Sequence, residues 1–195
     1  LAVDEYYIYR SVEFILDSGL PAFPCGGFYT RGLLYQYIVA PLLVVGMSPE
    51  AALRLVTILS SIIALPAVFL LAKALAPGRH ALATACACVV ILALSAWEIE
   101  MARFGRMYAP FQALFVWYLY HSWRVLGHGE HWRWRWLVGL SAIAPFVWEG
   151  GVITAALNFL VILLAKEGDR VLPMSEPARI PLAVSHYGVL DYPNS

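Results

Sequence analysis

The fold of this chain is decided by an uncharged stretch, residues 55–72, which reads LVTILSSIIALPAVFLLA. A helix needs about 20 mostly apolar residues to cross the hydrocarbon core of a bilayer. Further apolar runs follow it along the chain, separated by short polar segments. We therefore predict an all-α fold, a polytopic bundle of transmembrane helices with spans at about residues 51–76, 81–97, 107–124, 134–149 and 151–166.

The composition agrees with a membrane protein. Of the 195 residues, 61% are hydrophobic and 13% are charged, whereas soluble domains carry about 25% charged residues. The formal net charge is zero, which gives no basic field for a nucleic-acid partner. Cys25, Cys86 and Cys88 form neither a CxxC pair nor a metal-type spacing. Nucleic-acid binding and cysteine-metal sites are thus disfavoured.

The polar segments divide the chain into one partial domain, residues 1–170, and a proline-rich loop or ragged end at 171–195. Residues 1–50 precede the first span and form an outer loop, in which we expect interfacial helices. Leu1 leads directly to Asp4 with no basic region, so no signal peptide is recognisable. We expect the chain to be a fragment whose natural protein has a further membrane helix before residue 1.

Charge placement predicts the orientation in the membrane. If residues 1–50 lie outside, alternating spans put Arg79, Arg124, Arg133, Arg135, Lys166 and Arg170 inside. The same alternation puts Asp4, Glu5, Glu13, Asp17, Glu98, Glu100 and Glu149 outside. Lysine and arginine prefer short cytoplasmic loops. We therefore expect a multi-pass protein of a bacterial or archaeal plasma membrane, with its acidic end on the non-cytoplasmic side.

This orientation depends on residues 32–47, an uncharged run that is interrupted by Pro41. If the run crosses the membrane, Asp4 and Glu98 lie on opposite sides. Its length of 16 residues and its proline favour a half-buried or interfacial helix. We expect the second arrangement, in which both acids share one side.

The segment after the second span, Trp97-Glu-Ile-Glu-Met-Ala-Arg-Phe-Gly-Arg-Met-Tyr108, carries four charges at the end of a membrane helix. Such charges are costly there unless they pair or face water. In an extended or turning segment, Glu98 and Glu100 can supply oxygens to one divalent cation, Mg²⁺ or Mn²⁺. Arg103 and Arg106 can bind phosphate with bidentate geometry. An alternative is that the four charges form an interfacial set of salt bridges that only caps two helices.

The order of these features resembles the GT-C membrane glycosyltransferases, in the branch of the protein O-mannosyltransferases and the lipid A aminoarabinose transferase. The matching features are Asp4-Glu5 with the tyrosines after it, Tyr29-Thr-Arg-Gly-Leu-Leu-Tyr35, Ala40-Pro-Leu-Leu43, Gly46-Met-Ser-Pro-Glu50 with Arg54, and Glu98-x-Glu-x-x-Arg-x-x-Arg-Met-Tyr108. The resemblance covers residues 3 to 165 and lies in pattern and order. It implies the N-terminal part of an enzyme that moves a sugar from a polyprenyl-phosphate donor to a glycan, lipid or protein acceptor outside the membrane.

The resemblance also implies roles for particular residues. Asp4, with Glu5 beside it, matches the acid that serves as catalytic base or metal ligand in the first outer loop of such enzymes. Glu98 and Glu100 match an acid-x-acid motif, in which many relatives have Asp at one place. Arg103 and Arg106 would hold the carrier phosphate. Tyr29, Arg31 and Tyr108 complete the predicted substrate-binding set.

Two other functions remain open. A polytopic transporter or lipid flippase would use the same charges to line a pathway, but transporters place ionisable residues near the middle of their spans. The middles of residues 55–72 and 81–97 carry no charge. A structural membrane subunit would use the charges only to dock a partner. The glycosyltransferase hypothesis is the one that accounts for a polar site at the helix ends.

Overall fold

A computed structural model describes residues 3–23, 26–76 and 78–171 of the chain, without the side chains of residues 3, 4 and 165–171. Within these ranges every element longer than three residues is an α-helix, and one isolated bridge joins Ala22 to Phe28. The helices are α1 (Val3–Ser18), α2 (Leu33–Val44), α3 (Pro49–Leu75), α4 (Ala81–Leu94), α5 (Ala96–Arg103), α6 (Tyr108–His128), α7 (Trp134–Val147) and α8 (Val152–Val171). The all-α prediction is confirmed.

Helix α3 begins where the sequence provides a start signal. Ser48 is the N-cap, and its hydroxyl accepts a hydrogen bond from the Ala51 amide at 3.4 Å. Pro49 occupies the first turn, where its missing N–H costs no hydrogen bond. Glu50 adds a carboxylate near the positive end of the helix dipole. The capping residues therefore fix the entry of the longest apolar helix.

Among the described helices, α3 is long and apolar enough to cross a membrane, with a mean hydropathy of 2.5 in its most apolar window. Only 22% of that window is buried inside the structure, unlike the core helix of a soluble protein. The segments Gly78–Leu94 and Ala96–Arg103 are long and apolar enough only when they are taken together, and the chain bends by 54° between them. The bend follows Leu94 and divides the predicted span 81–97.

Helix α2 bears on the orientation of the chain. It has 12 residues, with Pro41 inside it, so at 1.5 Å per residue it extends about 18 Å. The hydrocarbon core of a bilayer is about 30 Å thick. The helix is thus shorter than the hydrocarbon core, and its position at the interface stays a prediction.

A buried core joins α1 and α2 to the first half of α3. Its centre consists of Ile8, Val12, Tyr35, Val39, Ala52, Leu53 and Val56, all at most 7% exposed. The Tyr35 hydroxyl donates to the Leu53 carbonyl at 2.9 Å. Burial, with the nearby charge of Glu5 as a second cause, raises the pKa of this phenol. Tyr35 therefore stays protonated and remains a donor.

A second core forms where α6, α7 and α8 meet, around Tyr118, Val125, Leu137 and Val161. Helix α6 also packs along α3, and the Trp117 indole donates to the Ile63 carbonyl at 3.1 Å. Because Leu53 and Gly105 also meet near the starts of these helices, α3 and α6 run in the same direction. Their N-terminal ends lie together at one end of the bundle.

Gln36 ties α1 to the segment before α2. Its side chain is fully buried and accepts a hydrogen bond from the Ser11 hydroxyl at 2.7 Å. Its amide nitrogen donates to the carbonyls of Tyr29 and Arg31 at 3.0 and 2.7 Å. One side chain thus satisfies three polar groups in an apolar core, where an unpaired group is costly.

We predict that Gln36→Met destabilises the fold, because it keeps the side-chain shape but removes the partner of the buried Ser11 hydroxyl and of two partly buried carbonyls. The buried group left without its partner costs about 1–3 kcal/mol. The measurement is thermal unfolding of the detergent-solubilised protein. The control is Tyr37→Phe on the same helix, which removes one exposed hydrogen bond to Gly19 and should cost less. Equal melting temperatures for the two variants would contradict the role of Gln36.

Candidate functional site

The start of α1 contacts the turn between α5 and α6. The side chain of Glu5 is 2% exposed, and its Oε1 accepts a hydrogen bond from the Gly105 amide at 2.7 Å. These residues are separated by 100 positions in the chain. The contact brings the first outer segment and the charged segment 98–106 to the same end of the bundle.

Glycine at position 105 is required by this close approach. A Cβ atom there would lie 2.6 Å from the Cβ of Leu53 and 3.4 Å from Oε1 of Glu5. Leu53 is 1% exposed, and its own Cβ is fixed by the α3 backbone. The absence of a side chain at Gly105 therefore lets its amide reach the buried carboxylate.

Helix α5 is held on α3 by a second contact. The hydroxyl of Thr57 is fully buried and lies 2.8 Å from the Ala102 carbonyl. The carbonyl of Ala102 belongs to the last turn of α5, where carbonyls lack partners within the helix. Thr57 and Glu5 thus fix α5 and the turn that follows it.

A cleft of about 560 Å³ opens between these elements. Its walls consist of Glu5, Arg54, Ala96, Ile99, Glu100, Arg103 and Phe104. Two guanidinium groups and two carboxylates therefore line this cavity together with three apolar residues, which makes it more polar than most small-molecule pockets.

The structure separates the two acids of the Glu98-x-Glu100 motif. Residues two apart on a helix point about 200° apart, since each residue turns about 100°. Glu98 is 5% exposed, and its Oε2 accepts from Gln112 of α6 at 2.7 Å. Glu100 is exposed and lines the cleft. A shared cation would require this segment to be extended or to form a turn. The structure shows a helix there instead.

No group of three or more His, Cys, Asp or Glu side chains that could hold a metal ion occurs in the described part of the chain. Glu98 and Glu100 do not fit one ion in this arrangement, because their carboxylates face different environments.

The two predicted phosphate-binding arginines have different surroundings. Arg103 is exposed and lines the cleft. Arg106 is not among the lining residues, and its guanidinium lies over the Phe104 ring, 5.3 Å from the centroid. In the ranges that the structure describes, neither Glu98 nor Glu100 forms an ion pair with Arg103. Arg103 is thus not paired with either acid of its own segment, and the alternative of an interfacial salt-bridge set stays a prediction.

The other predicted site residues lie outside the cleft wall. The Tyr29 ring packs edge-on against Phe23, with centroids 5.6 Å apart. Arg31 pairs with Glu149 at 3.3 Å, and both side chains are exposed. Tyr108 packs edge-on against Trp148 at 6.0 Å.

Asp4 lies in the first turn of α1, beside Glu5, but its side chain is outside the described residues. The structure therefore brings together Glu5, Glu100 and Arg103 of the predicted set.

Arg54 is a cleft residue that sequence reasoning did not select. It lies in the second turn of α3, where its Nη2 pairs with Oε1 of Glu50 at 2.5 Å. Its Nε is buried and has no partner in the described structure. The sequence signal for Arg54 was its position four residues after Glu50 at the start of an apolar helix. This position places a cation at the same end as the acidic loops.

Comparison of the chain with known protein families, with curated proteins and with solved structures finds no match.

We predict that Gly105→Ala costs about 1–3 kcal/mol of stability, the usual cost of overpacking a core, and displaces the Glu5 contact. Thermal unfolding measures the loss. Leu53→Ala in the same chain should not restore it, because alanine keeps the Cβ atom that the new methyl group meets. The control is Gly139→Ala in α7, where a Cβ meets nothing within 4 Å and alanine favours the helix. A Gly105→Ala protein as stable as the control would show that the close approach is not required.

Proposed function

We propose that this chain is part of a multi-pass membrane glycosyltransferase of the GT-C type. It would transfer a sugar from a polyprenyl-phosphate donor to a glycan, lipid or protein acceptor on the non-cytoplasmic face. The observation that carries the proposal is the cleft at one end of the helices, where Glu5 is bound to Gly105 and Arg54 and Arg103 contribute positive charge.

Placement in a membrane is supported by the surface of the helices. The exposed large hydrophobic residues include Ile58, Leu59, Ile62, Ile63, Leu82, Val90, Ile91, Val138, Ile143, Ile153, Phe159 and Leu160. They lie on α3, α4, α7 and α8. Soluble proteins rarely expose contiguous apolar surfaces of this kind, whereas lipid tails cover them at no cost. Crossing of the bilayer by α4, α6, α7 and α8 belongs to the proposal.

The position of the cleft suits a lipid-linked donor. It lies beside the N-terminal end of α3, the helix that is long enough to span. A carrier phosphate at this depth would sit at the polar surface while its polyprenyl tail remained among apolar helix faces. The short α2 leaves Glu5 and the segment 98–106 on one side of the bilayer.

The arginines supply the charge that the leaving group needs. As the bond between the anomeric carbon and the phosphate oxygen breaks, negative charge develops on the phosphate. Arg54 and Arg103 would neutralise it through charge-assisted hydrogen bonds. Arg54 is partly neutralised by Glu50, so Arg103 carries the larger share in this proposal.

A carboxylate at the start of α1 supplies the base. The acceptor hydroxyl or amine attacks the anomeric carbon as its proton passes to the carboxylate. The resemblance assigns this role to Asp4. Glu5 borders the cleft, and its hydrogen bond to Gly105 suits it to position α1 against the charged segment.

The transporter alternative is not favoured by the described helices. Charged side chains are absent between Leu55 and Ala72 of α3 and throughout α4. Three of the described charges of α3 and α5, Arg54, Glu100 and Arg103, border the cleft, and Lys73 lies in the last turn of α3.

We predict that Arg103→Ala weakens the binding of polyprenyl phosphate about tenfold or more, the loss expected for one charge-assisted hydrogen bond. Arg54→Ala should weaken it less, because Glu50 shares its charge. The measurement is a titration of the full-length protein in detergent with polyprenyl phosphate. The control is Arg10→Ala, which removes an exposed pair with Glu13 on α1. If Arg103→Ala lowers the melting temperature but leaves polyprenyl-phosphate binding unchanged, the salt-bridge alternative is favoured.

We predict that Asp4→Asn lowers sugar transfer from a polyprenyl-phosphate sugar by about 10²–10⁴-fold, the usual contribution of a general base, with donor binding unchanged. Glu5→Gln is the matched comparison, because its amide oxygen can still accept from Gly105. Full transfer by Asp4→Asn would remove Asp4 as the base. If the unaltered full-length protein transfers no sugar but moves lipid across the bilayer, the flippase alternative is supported.

A further inference from the structure

A second cavity lies at the opposite end of the bundle from the cleft. It has a volume of about 430 Å³ and is bordered by Trp117, His121, Trp132, Arg133, Trp136 and Leu140. We call it the aromatic pocket. It forms between the second half of α6, the turn at residues 131–133 and the first half of α7. The glycosyltransferase proposal assigns no role to this pocket.

The interior of the aromatic pocket is apolar and built from stacked rings. The His121 ring stacks on Trp136, with centroids 5.8 Å apart and planes 7° from parallel. Trp117 stacks on the same histidine, with ring centroids 5.9 Å apart. Leu140 completes the wall on α7. Such a cavity suits a hydrocarbon chain better than a polar solute.

The rim of the pocket carries an excess of positive charge. Residues 124–135 contain Arg124, Arg133 and Arg135 against one carboxylate, Glu130. Arg124 and Arg133 both donate to Glu130. These hydrogen bonds lower the pKa of that carboxyl, so it stays ionised. Three cations against one anion leave a net charge of +2.

Arg135 is the cation that remains available. It is exposed, and its guanidinium lies over the Trp132 ring, 5.0 Å from the centroid. Arg133 lies over the same ring at 4.6 Å, so both guanidiniums contact the same indole. Within the described ranges, Arg135 has no carboxylate partner. The group can therefore bind an anion at the pocket entrance.

Exposed tryptophans place this entrance at the level of lipid headgroups. Trp132 and Trp136 are about half exposed, at 53% and 49%, and indole rings prefer the membrane–water interface. Further along α7, apolar residues including Val138 and Ile143 are also exposed. An amphiphile of the bilayer thus meets the pocket directly.

We propose that the aromatic pocket binds an anionic phospholipid of the surrounding bilayer. Its acyl chain occupies the space between Trp117, Trp136 and Leu140, and its phosphate contacts Arg135 beside Trp132. Basic pockets between helices on the cytoplasmic side select anionic headgroups. The inference depends on membrane placement and not on sugar transfer, because the two cavities lie at opposite ends of the bundle.

The test is native mass spectrometry of the detergent-purified full-length protein, incubated in parallel with phosphatidylglycerol and phosphatidylcholine. We expect phosphatidylglycerol to be retained about fivefold more strongly, the effect of one cation near a headgroup. Arg135→Ala should remove this preference. Leu140→Trp, which fills the cavity, should reduce retention of both lipids.

Arg79→Ala provides the matched control, since Arg79 is an exposed arginine on the same predicted side, in the turn before α4 and outside the pocket. It should leave the preference intact. Equal retention of the two lipids, or equal effects of Arg79→Ala and Arg135→Ala, would overturn the proposal. Thermal unfolding of each variant separates loss of the site from loss of the fold. A protein that transfers sugar but shows no lipid preference would refute this inference alone.

Discussion

The hydrogen bond from the Gly105 amide to the buried carboxylate of Glu5 is the contact on which the candidate site depends. A carboxylate at 2% exposure is costly unless its charge is compensated by hydrogen bonds. The amide of Gly105 supplies one such bond just before α6 begins. The apolar core around Ile8, Val12 and Leu53 packs the rest of α1 against α2 and α3. The cleft beside Arg54 and Arg103 follows from this attachment.

The bundle concentrates charge at its two ends because its helix middles are apolar. One end holds carboxylates and two cleft arginines, and the other holds an excess of guanidiniums among tryptophans. The proposed membrane placement would account for both, since charged groups are tolerated at the surfaces and not in the hydrocarbon. The two cavities differ accordingly. The cleft presents both signs of charge, whereas the aromatic pocket combines an apolar interior with a cationic rim.

The helical conformation of α5 separates the two acids of the Glu98-x-Glu100 motif. An acid-x-acid pair can share an ion when the backbone is extended, but in α5 it divides between two environments. Glu98 turns inward to Gln112, and Glu100 faces the cleft with Arg103. The cleft consequently keeps one acid of the motif, beside Arg103.

The sequence by itself determined the all-α class and the start of α3 at Ser48-Pro49, because long apolar runs and capping residues are local features of the chain. It also predicted that the acids of residues 4–5 and 98–100 lie at one end, since charges cannot stay in the apolar middles. Only the tertiary structure decided which of them meet. Glu5 bonds to Gly105, Arg54 lines the same cleft as Arg103, and Glu98 accepts from Gln112. Each of these arrangements brings together residues that are distant in the chain. Such contacts depend on how the helices pack, which no local pattern of residues encodes.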